Sequence, residues 1–70
     1  MYEVTAYDKD NDDYDVVYTT DDIEKAEFYG GLLNRLIRED RVRTLEGEPY
    51  DWLEIYKNDD GMCELVKQYQ

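Results

Sequence analysis

Carboxylates are the side chains with which this sequence could do most chemistry. It contains 19 Asp and Glu residues, 8 Lys and Arg residues and no histidine. Asp8, Asp10 and Asp12 follow the spacing of the first half of a calcium-binding loop. Asp13 and Thr19 then stand where that loop requires a glycine and a bidentate glutamate. An acidic turn is therefore the favoured interpretation, with weak calcium or magnesium association as the alternative, and neither a metal site nor a cofactor is predicted.

The sequence lacks the residues that most enzymes use. Without histidine it has neither the commonest general base nor the commonest metal ligand. Cys63 has apolar neighbours and no nearby base in the sequence, which predicts a buried structural thiol. No glycine-rich phosphate loop is present, and 70 residues can hardly build the cleft that a catalytic carboxylate pair needs. We therefore expect no catalytic residues and a protein that binds a partner.

Periodicity predicts the elements that would position the carboxylates. Strand-like patterns occupy residues 1–7, 14–20, 50–57 and 62–69. An apolar stripe at three- and four-residue spacing predicts a helix after the second strand, with Asp21 as N-cap and Glu24 closing a capping box. The segment 41–49 is left unassigned. The sequence thus predicts one α+β domain over residues 1–70, with the order β-β-α-β-β and one helix on one face of a four-stranded antiparallel sheet.

Two details of packing follow from this arrangement. Gly30 and Gly31 interrupt the helical stripe without changing its phase, which indicates that the helix lies close to the sheet there. Cys63 and Leu65 are assigned to the covered face. The uncovered face is predicted to mix aromatic, aliphatic and acidic side chains, as contact surfaces do: Tyr7, Val17, Trp52, Glu54, Tyr56, Glu64 and Val66.

Net charge narrows the class of partner. At −11, the chain would be repelled by nucleic-acid phosphates and by an anionic membrane, so direct binding to either is not expected. A basic protein surface is the expected partner. Single-cysteine content and an N-terminus without a secretory pattern favour a cytoplasmic location. Aromatic contacts are predicted at Tyr7, Trp52 and Tyr56. The predicted acidic contacts are Asp8, Asp10, Asp12, Asp13, Asp15, Asp21, Asp22, Glu24 and Glu27.

Size and composition resemble those of phage-encoded DNA-mimic inhibitors, the anti-CRISPR and anti-restriction proteins. No motif is shared; the segments that carry the resemblance are DKDNDDYD at 8–15, TDDIEKAE at 20–27, EGEPYDW at 46–52 and KNDDGMCE at 57–64. The resemblance implies inhibition of a DNA-handling defence enzyme, such as a CRISPR effector or restriction-type nuclease, through its basic DNA- or RNA-binding groove. It also implies the cytoplasm of a bacterial host. Carboxylates on a strand or helix face lie about 5–7 Å apart, which is on the order of the phosphate spacing.

Other functions fit the same composition. One is a small cytosolic regulatory or assembly module that homodimerises through its open sheet face, centred on Trp52 and Tyr56. Another is an antitoxin-like neutraliser of a basic protein. A third is an acidic protein adapted to high salt, with no mimicry. The cluster Arg35, Arg38, Arg41 and Arg43 departs from a uniformly anionic mimic, and pairing with local carboxylates is its favoured interpretation.

Overall fold

Two hairpins and one helix make up the fold of the computed structural model, which describes residues 1–69. The elements are β1 (Tyr2–Asp8), β2 (Asp13–Thr20), α1 (Ile23–Arg38), β3 (Trp52–Asp59) and β4 (Met62–Tyr69). The strands form one antiparallel sheet in the order β2-β1-β3-β4, and α1 packs on one face. The predicted α+β fold and its element order are confirmed.

The core lies between α1 and the two central strands. In the register of β1 with β3, Val4 lies opposite Ile55 and Ala6 lies opposite Leu53, so four apolar side chains share one face. Together with Ala26 of α1, they are at most 1% exposed. Both edge strands are largely exposed and carry charged side chains, which discourages pairing with further strands.

Helix α1 begins one residue later than predicted. Its N-cap is Asp22, whose carboxylate accepts a hydrogen bond from the Glu24 amide at 2.9 Å. The prediction of Asp21 was wrong because β2 continues to Thr20, whose hydroxyl accepts from the Asp22 amide at 3.1 Å. At the other end, Asp40 adopts φ +59° where glycine is usual, and the last turn closes by a hydrogen bond from its amide to Ile37.

The two helix glycines differ in surroundings. A Cβ at Gly30 would lie 3.0 Å from the Tyr69 ring and 3.3 Å from Ile55, so glycine allows the close approach of α1 to the sheet. A Cβ at Gly31 would meet nothing within 4 Å. The predicted close packing is therefore confirmed at Gly30, whereas nothing in the single chain requires glycine at position 31.

The segment NDDG at 58–61 predicts a tight hairpin turn, and the β3–β4 turn confirms it. Asp60 and Gly61 both have positive φ, at 48° and 81°, which matches the twist of a two-residue hairpin turn. Residues 39–51 connect α1 to β3 as a loop that contains a β-bridge between Arg43 and Pro49. This loop contains the segment 41–49 that periodicity left unassigned, and it also includes Tyr50 and Asp51, which were predicted to belong to the third strand.

Register shifts alter which residues of the edge strands face the helix. β4 shifts against β3 between Ile55 and Tyr56, so that Leu65 lies opposite Tyr56 and Cys63 opposite Asn58 on the uncovered face. Cys63 is exposed and Leu65 is 49% exposed, so their assignment to the core was wrong, as was the prediction of a buried thiol. Strict alternation cannot place residues beyond a bulge.

The predicted open-face positions of three edge-strand residues change for the same reason. Glu64 lies opposite Lys57 and therefore belongs to the covered face, not to the uncovered one. Val66 falls at the shift in β4, and Val17 falls at a similar shift in β2. Val16, and not Val17, lies on the uncovered face, where it pairs with Thr5.

Candidate partner-binding surface

Asp8 stabilises the acidic hairpin tip, which is the turn at residues 9–12 between β1 and β2. Its side chain is buried, and its carboxylate accepts hydrogen bonds from the Asp10 amide at 3.2 Å and from the Asn11 side chain at 2.6 Å. Asp12 turns the chain with φ +51°. The Asp8 carboxylate therefore stabilises the turn by hydrogen bonds, whereas Asp10 and Asp12 are exposed to solvent. Over the described residues, no group of three or more carboxylates or thiols is arranged to hold a metal ion.

The loop 39–51 closes over this tip. The Asp51 amide donates to the Tyr7 carbonyl at 2.7 Å, and the Asp51 carboxylate accepts from the Lys9 amide at 2.8 Å. The Tyr50 hydroxyl donates to Asp15 at 2.6 Å. Burial, followed by this hydrogen bond and the charge of Asp15, raises the pKa of Tyr50 to about 12. The tip and the loop therefore form one acidic end of the molecule.

Between tip and loop lies a cavity of about 470 Å³. The apolar part of its lining comes from Tyr14, Leu45 and Tyr50. No Lys or Arg is among its lining residues. Five carboxylates line it: Asp8, Asp13, Asp15, Glu46 and Glu48. Glu46 and Glu48 were not among the predicted contacts, although their segment, EGEPYDW, is as acidic as the tip. Because 41–49 had no assigned structure, its position beside the tip could not be predicted.

A second acidic end lies beyond the opposite ends of the strands. Asp21 and Asp22 follow β2, and Asp59 and Asp60 belong to the β3–β4 hairpin. The N-terminal ammonium lies 3.3 Å from Asp59 and 4.0 Å from Asp21, so it bridges the two segments. That contact lowers the pKa of Asp59.

The acidic residues predicted as one contact are thus divided. Asp13 and Thr20 bound β2, and seven residue steps of about 3.3 Å place its two ends about 23 Å apart. Asp8, Asp10, Asp12, Asp13 and Asp15 lie toward the tip–loop end, whereas Asp21 and Asp22 lie at the helix-start end. Glu24 and Glu27 follow on the exposed side of α1. The two hairpin tips point in opposite directions, so these carboxylates form two separate acidic ends.

The uncovered sheet face carries the predicted aromatic residues. Tyr7 stacks on Trp52 with ring centroids 5.2 Å apart, and Tyr14 lies 5.5 Å from Tyr7 on the other side. Tyr14 was not predicted here; its place follows from pairing with Tyr7, which sequence periodicity alone does not give. The Trp52 indole nitrogen is buried and has no hydrogen-bond partner among the described residues.

Polar side chains are buried at the centre of this face. Thr5 is 3% exposed and Glu54 is 9% exposed, although no helix covers them. The Tyr56 hydroxyl donates to the Glu54 carboxylate at 2.8 Å. Hydrogen bonding with Tyr7 and then with Glu54, together with burial, raises the pKa of Tyr56. The aromatic rings therefore shield a hydrogen-bonded polar centre from solvent.

The arginine cluster is partly neutralised by its own loop. Arg43 pairs with Asp40 and also donates to the Gly47 carbonyl at 2.8 Å. Arg41 lies 3.6 Å from Glu39. Local pairing, the favoured interpretation, is thus seen at these two positions, whereas Arg35 and Arg38 have no ion pair within residues 1–69.

Comparison with protein-family models, with curated proteins and with solved structures finds no match to this chain. No helix in the described part of the chain combines the length and the apolar character needed to cross a bilayer.

Proposed function

We propose that this chain inhibits a DNA-handling defence enzyme, a CRISPR effector or restriction-type nuclease, by occupying its basic nucleic-acid groove. The observation that carries the proposal is the tip–loop end, where five carboxylates and no Lys or Arg line one cavity. Such a surface attracts a basic groove from a distance and speeds the encounter. The aromatic side chains Tyr7, Trp52 and Tyr56 then supply short-range contact of the kind that dominates protein interfaces.

Charge density supports a nucleic-acid mimic. The Cα envelope measures 33 × 23 × 18 Å, and the chain carries a net charge of −11. Along its long axis this is about one net negative charge per 3 Å, against one per about 1.7 Å in duplex DNA and 3.4 Å in one strand. The net charge per unit length of this chain therefore lies between that of duplex DNA and that of a single strand.

A capture experiment tests the proposal. The purified chain is immobilised at moderate salt, exposed to bacterial lysate with and without excess duplex DNA, and the captured proteins are identified by mass spectrometry. Capture of a DNA-binding nuclease that DNA displaces is the expected result. Capture that DNA leaves unchanged would contradict mimicry, and so would capture of proteins that bind no nucleic acid.

Two matched variants locate the contact. Asp10→Asn with Asp12→Asn neutralises the tip, and Asp21→Asn with Asp60→Asn neutralises the opposite end. Both change the net charge from −11 to −9, and each includes one Asp at positive φ, where Asn is tolerated. The tip variant is expected to weaken binding to the captured nuclease and to reduce its salt dependence more than its counterpart. Equal weakening would show that overall charge, not the tip, determines binding.

A further inference from the structure

The side of α1 that faces away from the sheet is unusual in this molecule because it is not acidic overall. Phe28 is 66% exposed and Leu32 is 42% exposed, on the side opposite the buried Ala26 and Gly30. Charged side chains of both signs flank these two apolar residues. We call this surface the outer helix face, and its residues are Glu24, Glu27, Phe28, Gly31, Leu32, Arg35 and Arg38.

The charges on the outer helix face are segregated and unpaired. Glu24 and Glu27 lie in the N-terminal half of α1, whereas Arg35 and Arg38 lie in the C-terminal half. Lys25 also lies in the N-terminal half, but it is turned about 120° away from Gly31 around the helix axis. Across residues 1–69, none of the four takes part in an ion pair. A helix with acids at one end and bases at the other complements an antiparallel copy of itself.

Gly31 lies midway between the two charged groups. In a helix interior glycine costs about 1 kcal/mol relative to alanine, and a Cβ at Gly31 would meet nothing in its own chain. Close contact with the sheet, which explains the glycine at position 30, therefore does not explain the one at position 31. A second helix packed against α1 at Gly31 would explain it, because small residues permit the closest approach between helices.

We propose that two copies of this chain pair through their outer helix faces, antiparallel and with the two-fold axis at Gly31. Glu27 and Arg35 each lie four residues from Gly31, or about 6 Å along the axis, so each would meet the other in the partner. Glu24 and Arg38 each lie seven residues away, about 10.5 Å, and meet in the same way. Phe28 and Leu32 lie to one side of Gly31 around the helix, so those of the two copies flank the charged pairs on opposite sides, as a two-fold interface requires.

Local charge makes this the surface on which two copies can meet. The net charge of −11 opposes association through the acidic ends. The outer helix face, by contrast, carries two acids and two bases, and with the adjoining Lys25 the helix Ile23–Arg38 has a net charge of +1. Pairing there also leaves the tip–loop end and the open sheet face uncovered, so the inference does not depend on the proposed function.

Charge reversal tests the pairing and its direction. One variant carries Glu24→Arg and Glu27→Arg, and the other carries Arg35→Glu and Arg38→Glu. Sedimentation equilibrium on the unmodified chain should show a dimer that each variant weakens by at least about tenfold, because four contacts between the copies become repulsive. An equimolar mixture of the variants should associate as the unmodified chain does, because every contact is again between opposite charges.

Overall charge predicts a different outcome. Each exchange changes the charge by two, so the first variant carries −7 and the second −15, from −11. If net repulsion alone controlled association, the −7 variant would dimerise more tightly than the unmodified chain. That result would overturn the proposal, as would a mixture that fails to associate or an unmodified chain that stays monomeric at millimolar concentration.

Gly31→Ala separates pairing from folding. The substitution fits the single chain and favours the helix, so circular dichroism of the dilute monomer should show an unchanged or higher melting temperature. The dissociation constant of the dimer should rise at least several-fold, because the added methyl groups push the two helices apart. Unchanged dimerisation in Gly31→Ala would place the interface elsewhere and contradict the proposal.

Discussion

The covered and uncovered faces of the sheet are built from the same two central strands but are stabilised differently. Beneath α1, Val4, Ala6, Leu53 and Ile55 form an apolar layer that excludes water. On the other side, Thr5 and Glu54 are nearly as buried, yet they are polar, and Glu54 accepts a hydrogen bond from Tyr56. Apolar burial on the first face supplies most of the stability, whereas aromatic contacts and a hydrogen bond hold the second.

The largest expected difference between the faces comes from truncating one core side chain. Leu53→Ala should lower the free energy of unfolding by about 2–5 kcal/mol, because it removes buried apolar atoms and leaves a cavity. Val16→Ala, on the uncovered face, should cost less than about 1 kcal/mol because Val16 is already exposed. Urea denaturation measures both. Similar losses would mean that the uncovered face is packed as tightly as the core.

A smaller effect is expected from the polar centre of the uncovered face. Tyr56→Phe removes the donor to Glu54 and should cost about 1–3 kcal/mol, because a buried carboxylate loses a hydrogen bond. Tyr14→Phe is the matched control, since Tyr14 is exposed and its hydroxyl forms no hydrogen bond within the described residues. Equal stability of the two variants in chemical denaturation would contradict a structural role for the Tyr56–Glu54 pair.

The neighbouring helix glycines should respond in opposite directions by smaller amounts. Gly30→Ala crowds Tyr69 and Ile55 on the covered face and should destabilise the chain by about 1 kcal/mol or more. Gly31→Ala should stabilise the monomer by up to about 1 kcal/mol, because it meets open space and favours the helix. Thermal melts of both variants at the same low concentration provide the comparison. Stabilisation by Gly30→Ala would show that α1 can move away from the sheet without cost.

The smallest effect is expected in the alkaline titration of the tyrosines. Folding raises the pKa of Tyr50 from 10.0 to about 12 and also raises that of Tyr56, so the neutral forms favour the folded state. Their contribution to stability should be complete below pH 10 and should decline as pH rises toward and beyond about 12. Tyrosinate absorbance should therefore show a late phase that shrinks in Tyr50→Phe and in Tyr56→Phe. An unchanged titration in both variants would rule out these hydrogen bonds as its cause.

The functional comparison is between the two ends of the sheet. The acidic segments at 8–15 and 20–27 are evident in the sequence, but their relative positions are not, because local pattern does not give the direction of hairpins in a sheet. Pairing of β1 with β3 sends the two hairpin tips to opposite ends. The same topology brings Glu46 and Glu48 to the tip. The matched Asp→Asn pairs described above measure which end a partner uses.

The sequence by itself determined the α+β element order, the Asp60–Gly61 turn, the close approach at Gly30 and the net charge. These features depend on side-chain alternation, helical spacing, backbone φ preferences and composition, which are local or additive. Only the tertiary structure decided the faces of Cys63 and Leu65, the burial of Asp8 and Glu54 and the separation of the acidic ends. Each of these depends on register shifts and on contacts between residues far apart in the chain, where a one-residue slip reverses the face of every following side chain.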